Sequence, residues 1–315
     1  MLGLEERRQM VKVANLYHLN GWTQEQIAKR VGVSRPVISK LLQRAKEVGI
    51  VEVYIKDENS HTVDLELNLE KEFGLKDVVV VSTAGYTPEM RKKAVGQAGA
   101  YYLAKNLKDI KRLGISWGTT VAEVVKEYPY ERREDVRIIP LEGGMGRQSV
   151  EIHANQLAYE LSKKMNSTCS YLYTPAIVET EELKKHLMAM EEIEAVLEEG
   201  KTVDAALISI GNPHKASTLR EIGYLKELDL ENLRTVGAVG DIAFRFFDKL
   251  GEPTNHPINN KVIGISLEQL KAIQTVIAVV EGSHKVESVL GALKGNYLDV
   301  LIIDETTAAL LLDKR

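Results

Sequence analysis

Thr23-Gln24-Glu25-Gln26-Ile27-Ala28-Lys29-Arg30-Val31-Gly32-Val33-Ser34-Arg35-Pro36-Val37-Ile38-Ser39-Lys40-Leu41-Leu42 is the stretch that decides how the N-terminal part folds. Thr23 is a helix-capping residue type, and Ile27 and Val31 share one face of the helix that would begin at Gln24. Gly32-Val33 supplies a tight turn. Ser34 is placed to cap a third helix, and Pro36 falls in that helix's first turn, where a missing N–H costs little. Ile38, Leu41, Leu42 and Ala45 then give an apolar stripe, with Arg35, Ser39, Lys40, Gln43 and Arg44 on the opposite side. Upstream, Met10, Val13, Ala14 and Tyr17 follow helical spacing, so residues 4–20 read as a first helix that Gly21 ends.

Two capped helices joined by a short glycine turn, with basic residues on the second of them, are what a helix-turn-helix needs. One helix crosses the phosphate backbone while the next offers side chains to base edges in the major groove. Arg35 and Lys40 suit guanine acceptors, Ser39 suits bases or phosphate, and Thr23 and Gln24 at a helix N-terminus suit phosphate. A small helical bundle with merely solvated charges is the plain alternative. Charge distribution favours the DNA reader. Residues 1–56 hold ten Lys/Arg against five acids, net +5, whereas the rest of the chain is net −9. A basic head on an acidic body is expected where one end meets phosphates. Ile50–Lys56 alternates like a strand and is expected to form a wing; polar residues 57–62 read as a linker, and a short helix is expected over 63–73.

The 315 residues, 44% hydrophobic and 27% charged, exceed one ordinary domain and can bury a sizeable core. No apolar run approaches the roughly 20 residues of a membrane span, and no signal-type apolar region follows Met1. A single cysteine, Cys169, excludes an internal disulfide framework and fits a reducing cytoplasm.

From residue 78 apolar runs alternate with amphipathic helices. Strands are expected at Val78–Ser82, Leu113–Ser116, Val136–Leu141, Ser170–Tyr173, Ala205–Ile210, Val262–Ser266, Val276–Val280 and Val300–Ile303. Helices are expected at Glu89–Asn106, Ile152–Met165, Glu181–Glu199 and His284–Leu293. This is an α/β pattern with a parallel sheet, whose ligands gather at the carboxyl ends of strands. Gly114-Ile115-Ser116-Trp117-Gly118-Thr119-Thr120 runs from a strand into a helix, with a glycine for close approach, three hydroxyls and a helix N-terminus that favours an anion. An ordinary capped helix start remains the alternative. Leu141–Arg147, with Gly143, Gly144 and Gly146, is either a close backbone approach or a plain turn. Asp241 follows a short strand and either accepts from sugar hydroxyls or caps a helix. Lys285 lies in the first turn of a helix, where a cation is less expected unless an anion is there.

These motifs, in this order, resemble the SorC-type sugar-binding transcriptional regulators, grouped with the Gram-positive deoxyribonucleoside and central glycolytic gene regulators. The anchors are Thr23–Ala28, Val33–Leu42, Gly114–Thr120, Gly143-Gly144, Val239-Gly240-Asp241 and Gly282–Lys285. The resemblance implies a helix-turn-helix followed by an α/β effector domain like sugar-phosphate isomerase, deaminase and CoA-transferase folds. It divides the chain into 1–56, a linker and connecting helix over 57–73, and 74–315. It implies a dimer or tetramer on operator DNA, controlled by a phosphorylated sugar, with repression the expected direction and no cofactor or metal. By position, Ser116, Gly118, Thr119, Thr120 and Lys285 would bind the phosphate, and Gly143, Gly144 and Asp241 would line the sugar. Some members form a Schiff base through a loop lysine; Glu142 stands in that Leu-x-Gly-Gly context here, which implies non-covalent binding. A sugar-phosphate isomerase or deaminase with an accessory DNA-binding head is the competing reading, but no nucleophile–base set or flanked carboxylate pair stands at a recognisable spacing.

Overall fold

A computed structural model describes residues 4–51, 60–146 and 148–314. The expected wing lies mostly outside the described residues, as do residues 57–59 of the expected linker and Arg147. The chain divides into two compact units, Met1–Ser60 and His61–Arg315. No described helix is long and apolar enough to cross a membrane.

In the first unit, α1 (Leu4–Ala14) runs into a π-helical turn over Asn15–Leu19, followed by α2 (Gln24–Val31) and α3 (Arg35–Glu47). Val13, Ile27, Ala28, Ile38 and Leu42 form the shared core. The wider π turn rotates the side chains that follow it, so Tyr17 leaves the buried stripe and is 38% exposed. Thr23 builds a full capping box: its hydroxyl accepts from Gln26 N–H, and the Gln26 amide oxygen accepts from Thr23 N–H. Gly32 takes φ +77, the left-handed conformation that closes α2. Ser34 occupies the capping position of α3 without bonding through its side chain, contrary to the expectation. Pro36 has no N–H to give, and the Val37 N–H donates to the Ser34 carbonyl instead.

The second unit begins with α4 (Ser60–Phe73), which takes in the last residues expected to be linker. There follow β1 (Asp77–Val81), α5 (Pro88–Asn106), β2 (Arg112–Ile115), α6 (Thr119–Glu127), β3 (Arg137–Pro140), α7 (Ala154–Lys164) and β4 (Thr168–Cys169). Next come α8 (Glu181–Met188), α9 (Glu191–Lys201), β5 (Ala205–Ile208), α10 (Thr218–Glu221), α11 (Glu227–Thr235) and the strands β6 (Ala238–Ile242) and β7 (Arg245–Asp248). The chain ends with α12 (Pro257–Lys261), α13 (Leu267–Lys271), β8 (Thr275–Val280), α14 (Val286–Lys294), β9 (Val300–Asp304) and α15 (Glu305–Asp313).

Seven strands make one parallel sheet in the order β1-β9-β8-β5-β2-β3-β4, and β6-β7 form a separate antiparallel hairpin. The central β5, β8 and β9 are covered on both faces, so they read as unbroken apolar runs. One core cluster joins α4, α14 and α15 to the sheet; another joins α5, α6 and α7. Side chains meet the backbone along the β1 edge and just beyond the β4 edge. Along β1, Val78 N–H donates to Glu70 Oε1 (3.2 Å) and Val80 N–H to Glu66 Oε1 (2.8 Å). Beyond β4, the Leu172 peptide is clasped by Asn155, which accepts at 2.9 Å and donates at 3.0 Å.

That clasp is why Ser170–Tyr173 is not the expected strand; the ladder stops at Cys169. Val262–Ser266 is not a strand either. It makes isolated bridges through Val262 and Gly264, and the half-buried Arg245 guanidinium donates to the carbonyls of Val262, Gly264 and Ile265. The helix expected over Glu181–Glu199 breaks at Ala189-Met190 into α8 and α9. After β2 the chain proceeds to β3 and β4 on one side, and after β5 to β8 and β9 on the other. The crevice at the carboxyl ends of β2 and β5 is therefore the switch point where this architecture binds ligands.

Candidate functional site

A cavity of about 190 Å³ opens at that point, walled by the segments that follow β2, β5 and β8, the β6-β7 hairpin and Lys92 of α5. From β2 come Gly118, Thr119 and Thr120. The N–H groups of Ser116, Trp117 and Gly118 are already committed, to Leu207 O, Glu142 Oε1 and Ile152 O. What remains for a ligand is the N-terminus of α6, where the first turn's N–H groups have no intrahelical partner. Gly118 has φ +134, and a Cβ there would lie 2.5 Å from Ser209 Oγ. Only glycine keeps the loop this tight against β5.

From the hairpin comes Asp241, which is 3% exposed. A Cβ on Gly211 would overlap its carboxylate, so that glycine is what lets the acid cross the end of β5. Burial pushes the Asp241 carboxyl up to about 7, while Lys285 and the Phe244 N–H pull the other way. The two hairpin-turn residues, Ala243 and Phe244, both have positive φ (49° and 64°), an uncommon state for residues other than Gly, Asn and Asp. Phe244 is fully buried and stacks on Trp117, ring centroids 4.8 Å apart, which holds the turn against the loop that follows β2.

From β8 come Glu281, His284 and Lys285. Burial lowers the Lys285 ammonium from its ordinary value, opposed by Glu281 and Asp241. His284 is lowered by burial and then by the neighbouring Lys285. Neither Lys92 nor Lys285 forms a salt bridge within 4.0 Å among the described residues. The Asn212 side chain ties the β5 loop to the β8 loop: it donates to His284 O (2.7 Å) and accepts from His214 and Lys215 N–H.

Of the residues the sequence singled out, the cavity brings together Gly118, Thr119, Thr120, Asp241 and Lys285. Three others are elsewhere. Ser116 is buried behind the loop and does not line the cavity. Gly143 packs on Thr174-Pro175, where a Cβ would meet the Thr174 carbonyl at 2.5 Å, and its N–H donates to Ile263 O. Gly144 exchanges both backbone groups with the same segment, donating to Thr174 O and accepting from Ala176 N–H. The glycine at 143 serves a close chain crossing, whereas a Cβ at Gly144 would meet open space. Glu142, fully buried, accepts from Trp117 N–H at 2.6 Å, and burial drives its carboxyl up to about 8. Sequence reading missed Lys92, Ser209, Asn212, Ser217, Thr218, Glu281 and His284. Glu281 and His284 sit in a strand-end loop already under suspicion, whereas Lys92 reaches the cavity from a remote helix and leaves no local signal.

On α3, Arg35, Ser39 and Lys40 are exposed, as is Thr23 at the start of α2; Gln24 is half-buried and Ser34 exposed. Arg44 is exposed but ion-paired with Glu6 at 2.6 Å, so it meets a phosphate only by giving up that partner.

A helix-turn-helix joined to an α/β unit with a polar, lysine-bearing cavity at its switch point defines a DNA-binding regulator that senses a small ligand. Residues 57–313 match the sugar-binding domain family and residues 18–48 the helix-turn-helix family. The chain belongs to the SorC-type family of sugar-binding transcriptional regulators. It is 32% identical over 314 residues to the deoxyribonucleoside regulator of Bacillus subtilis (strain 168), covering 98% of each chain. The full-length sorbitol operon regulator SorC from Klebsiella pneumoniae superposes with a TM-score of 0.76 at 30% identity, over 97% of this chain and 98% of that one. A DeoR family transcriptional regulator from Listeria monocytogenes superposes with a TM-score of 0.75 at 42% identity, over 79% of this chain and 99% of that one. The enzyme reading gives way: these relatives are named regulators.

Proposed function

We propose that the chain represses carbohydrate or nucleoside metabolism genes in the cytoplasm as a dimer or tetramer, and that a phosphorylated sugar, bound non-covalently in the cavity, shifts its affinity for operator DNA. The named relatives, a deoxyribonucleoside regulator and a sorbitol operon regulator, support the gene class. One observation carries the effector reading: two lysines without salt bridges and an open helix N-terminus face the same cavity as a buried carboxyl. Lys285, Lys92, Thr119 and Thr120 hold the phosphate, and Asp241 accepts from a sugar hydroxyl. Glu142, bonded to Trp117 behind the loop, takes no part in covalent capture. Thr23, Gln24, Ser34, Arg35, Ser39, Lys40 and Arg44 supply the DNA face, in a module over 1–56, with 57–73 as connection and 74–315 as sensor.

A thermal-shift panel of sugar phosphates tests the sensor half, because a ligand that binds only the folded state raises the melting temperature by mass action. At least one sugar monophosphate raises it for the wild type and fails to do so for Lys285→Gln. The DNA half is tested by gel shift on the gene's own upstream region. Arg35→Ala weakens binding by about 10- to 100-fold, the worth of one bidentate base contact. No melting shift with any sugar phosphate refutes the sensor reading, and equal DNA binding by wild type and Arg35→Ala refutes the role given to Arg35.

A further inference from the structure

Glu281 is a carboxylate where the proposed ligand is itself an anion. It is 8% exposed at the end of β8, lines the cavity and stands among the cations assigned to the phosphate. Lys285 from its own segment and Lys92 and Arg91 from α5 attract it, while Asp304 of β9 repels it. His284 stands beside Lys285, and Asp241 faces Lys285 from the hairpin. Neither lysine is close enough to any carboxylate for a salt bridge, so the attraction is loose and an incoming anion can replace it. A buried carboxylate that served only the fold would be held by hydrogen bonds. No hydrogen bond to the Glu281 side chain is present among the described residues, whereas Asp304 next to it accepts from Gly282 N–H, Thr307 N–H and the Thr307 hydroxyl.

We infer that Glu281 is a built-in competitor for anions: its carboxylate balances Lys92 and Lys285 in the empty cavity, an arriving phosphate displaces that interaction, and Glu281 thereby sets the threshold at which the effector is sensed. This rests on the cavity being an anion site. Bare phosphate and other small anions gain little, since they must overcome Glu281 without the hydroxyl contact to Asp241 that a sugar supplies. Displacement also takes up a proton. Burial already holds the Glu281 carboxyl above its ordinary range, the lysines hold it down, and a dianion between them cancels the lysines' effect.

Inorganic sulfate on the full-length chain is the probe, because its charge stays fixed over the range in which carboxyls and imidazoles titrate, so any pH dependence belongs to the protein. Calorimetry is expected to show Glu281→Gln binding sulfate about tenfold tighter than wild type near pH 8. Its affinity is also expected to change less with pH than the wild type's, the residual slope belonging to Asp241 and His284. Glu281→Asp, which keeps the charge, retains the wild-type slope and serves in its place if the amide variant fails to fold. Adding Lys92→Gln shrinks the gain from Glu281→Gln, a coupling that a purely structural role does not produce. Equal sulfate affinity in wild type and Glu281→Gln overturns the inference and leaves the anion site standing, as does a loss of the wild-type slope in Glu281→Asp. If neither protein binds sulfate, inorganic phosphate or any sugar monophosphate, the anion site falls and this inference with it.

Discussion

Replacing Glu142 by glutamine should make the sensor unit more stable in mild alkali, although it removes a buried charge-bearing group. Glu142 is fully buried, and only one of its oxygens is satisfied, by the Trp117 N–H at 2.6 Å; Oε2 has no hydrogen-bond partner among the described residues. Burial raises its carboxyl from the ordinary 4.5 to about 8. A group whose pKa is higher folded than unfolded gives its full stabilisation below the unfolded value and loses it as pH rises through the folded one. The window here is therefore about pH 4.5 to 8, and the loss across it is on the order of 4 kcal/mol. Glutamine still accepts from Trp117 and cannot ionise. Urea unfolding of wild type and Glu142→Gln, both carrying Trp22→Phe so that Trp117 alone reports, would give a stability difference across that window in which titrations elsewhere cancel, Asp241 alone being coupled to Glu142 by its charge. The variant is expected to gain steadily on the wild type from about pH 5 and to lead by several kcal/mol above pH 8. A difference that stays flat with pH refutes the reasoning, because it would mean that the carboxyl titrates equally in both states.

Gly118→Ala forces a side chain into a positive-φ position and against Ser209 Oγ, and should cost the sensor unit about 2 kcal/mol or more by denaturant melt. It should also abolish stabilisation by any sugar phosphate, since the α6 N-terminus moves. Thr23→Ala removes the hydroxyl half of the capping box, the acceptor for Gln26 N–H, and should destabilise the N-terminal unit by about 1 kcal/mol, seen as a lower melting point in the Trp22 signal with Trp117 replaced.

The N-terminal unit was the most legible from sequence because its determinants are local: capping residues, a glycine turn and helical spacing all act within a few positions. What escaped there was the π turn after Ala14, a register change with no compositional mark, and the Glu6–Arg44 pair, which only the packed helices bring together. In the larger unit the doubly covered strands announced themselves as apolar runs. Val262–Ser266 looked the same for a different reason: its side chains are buried while Arg245 takes its carbonyls, and periodicity reports burial rather than ladder pairing. The β6-β7 hairpin was only half visible, because Ala243-Phe244 is not a turn-forming pair. Strand-end loops led to Thr119, Thr120, Asp241 and Lys285. The resemblance, rather than that rule, put Gly143 and Gly144 against the sugar; neither lines the cavity, and Gly143 packs closely on the Thr174-Pro175 backbone.

The side chains at the sheet edges have a consequence for edge-to-edge pairing. Glu66 and Glu70 occupy the outward amides of β1, and Asn155 occupies the Leu172 peptide beyond β4. Another strand therefore finds no vacant amides at these points from which to continue the ladder. Contact between copies at these points would have to use side-chain surfaces rather than the backbone addition that grows without limit. At these points the rigid element of the sensor unit is thereby shielded from edge-to-edge pairing.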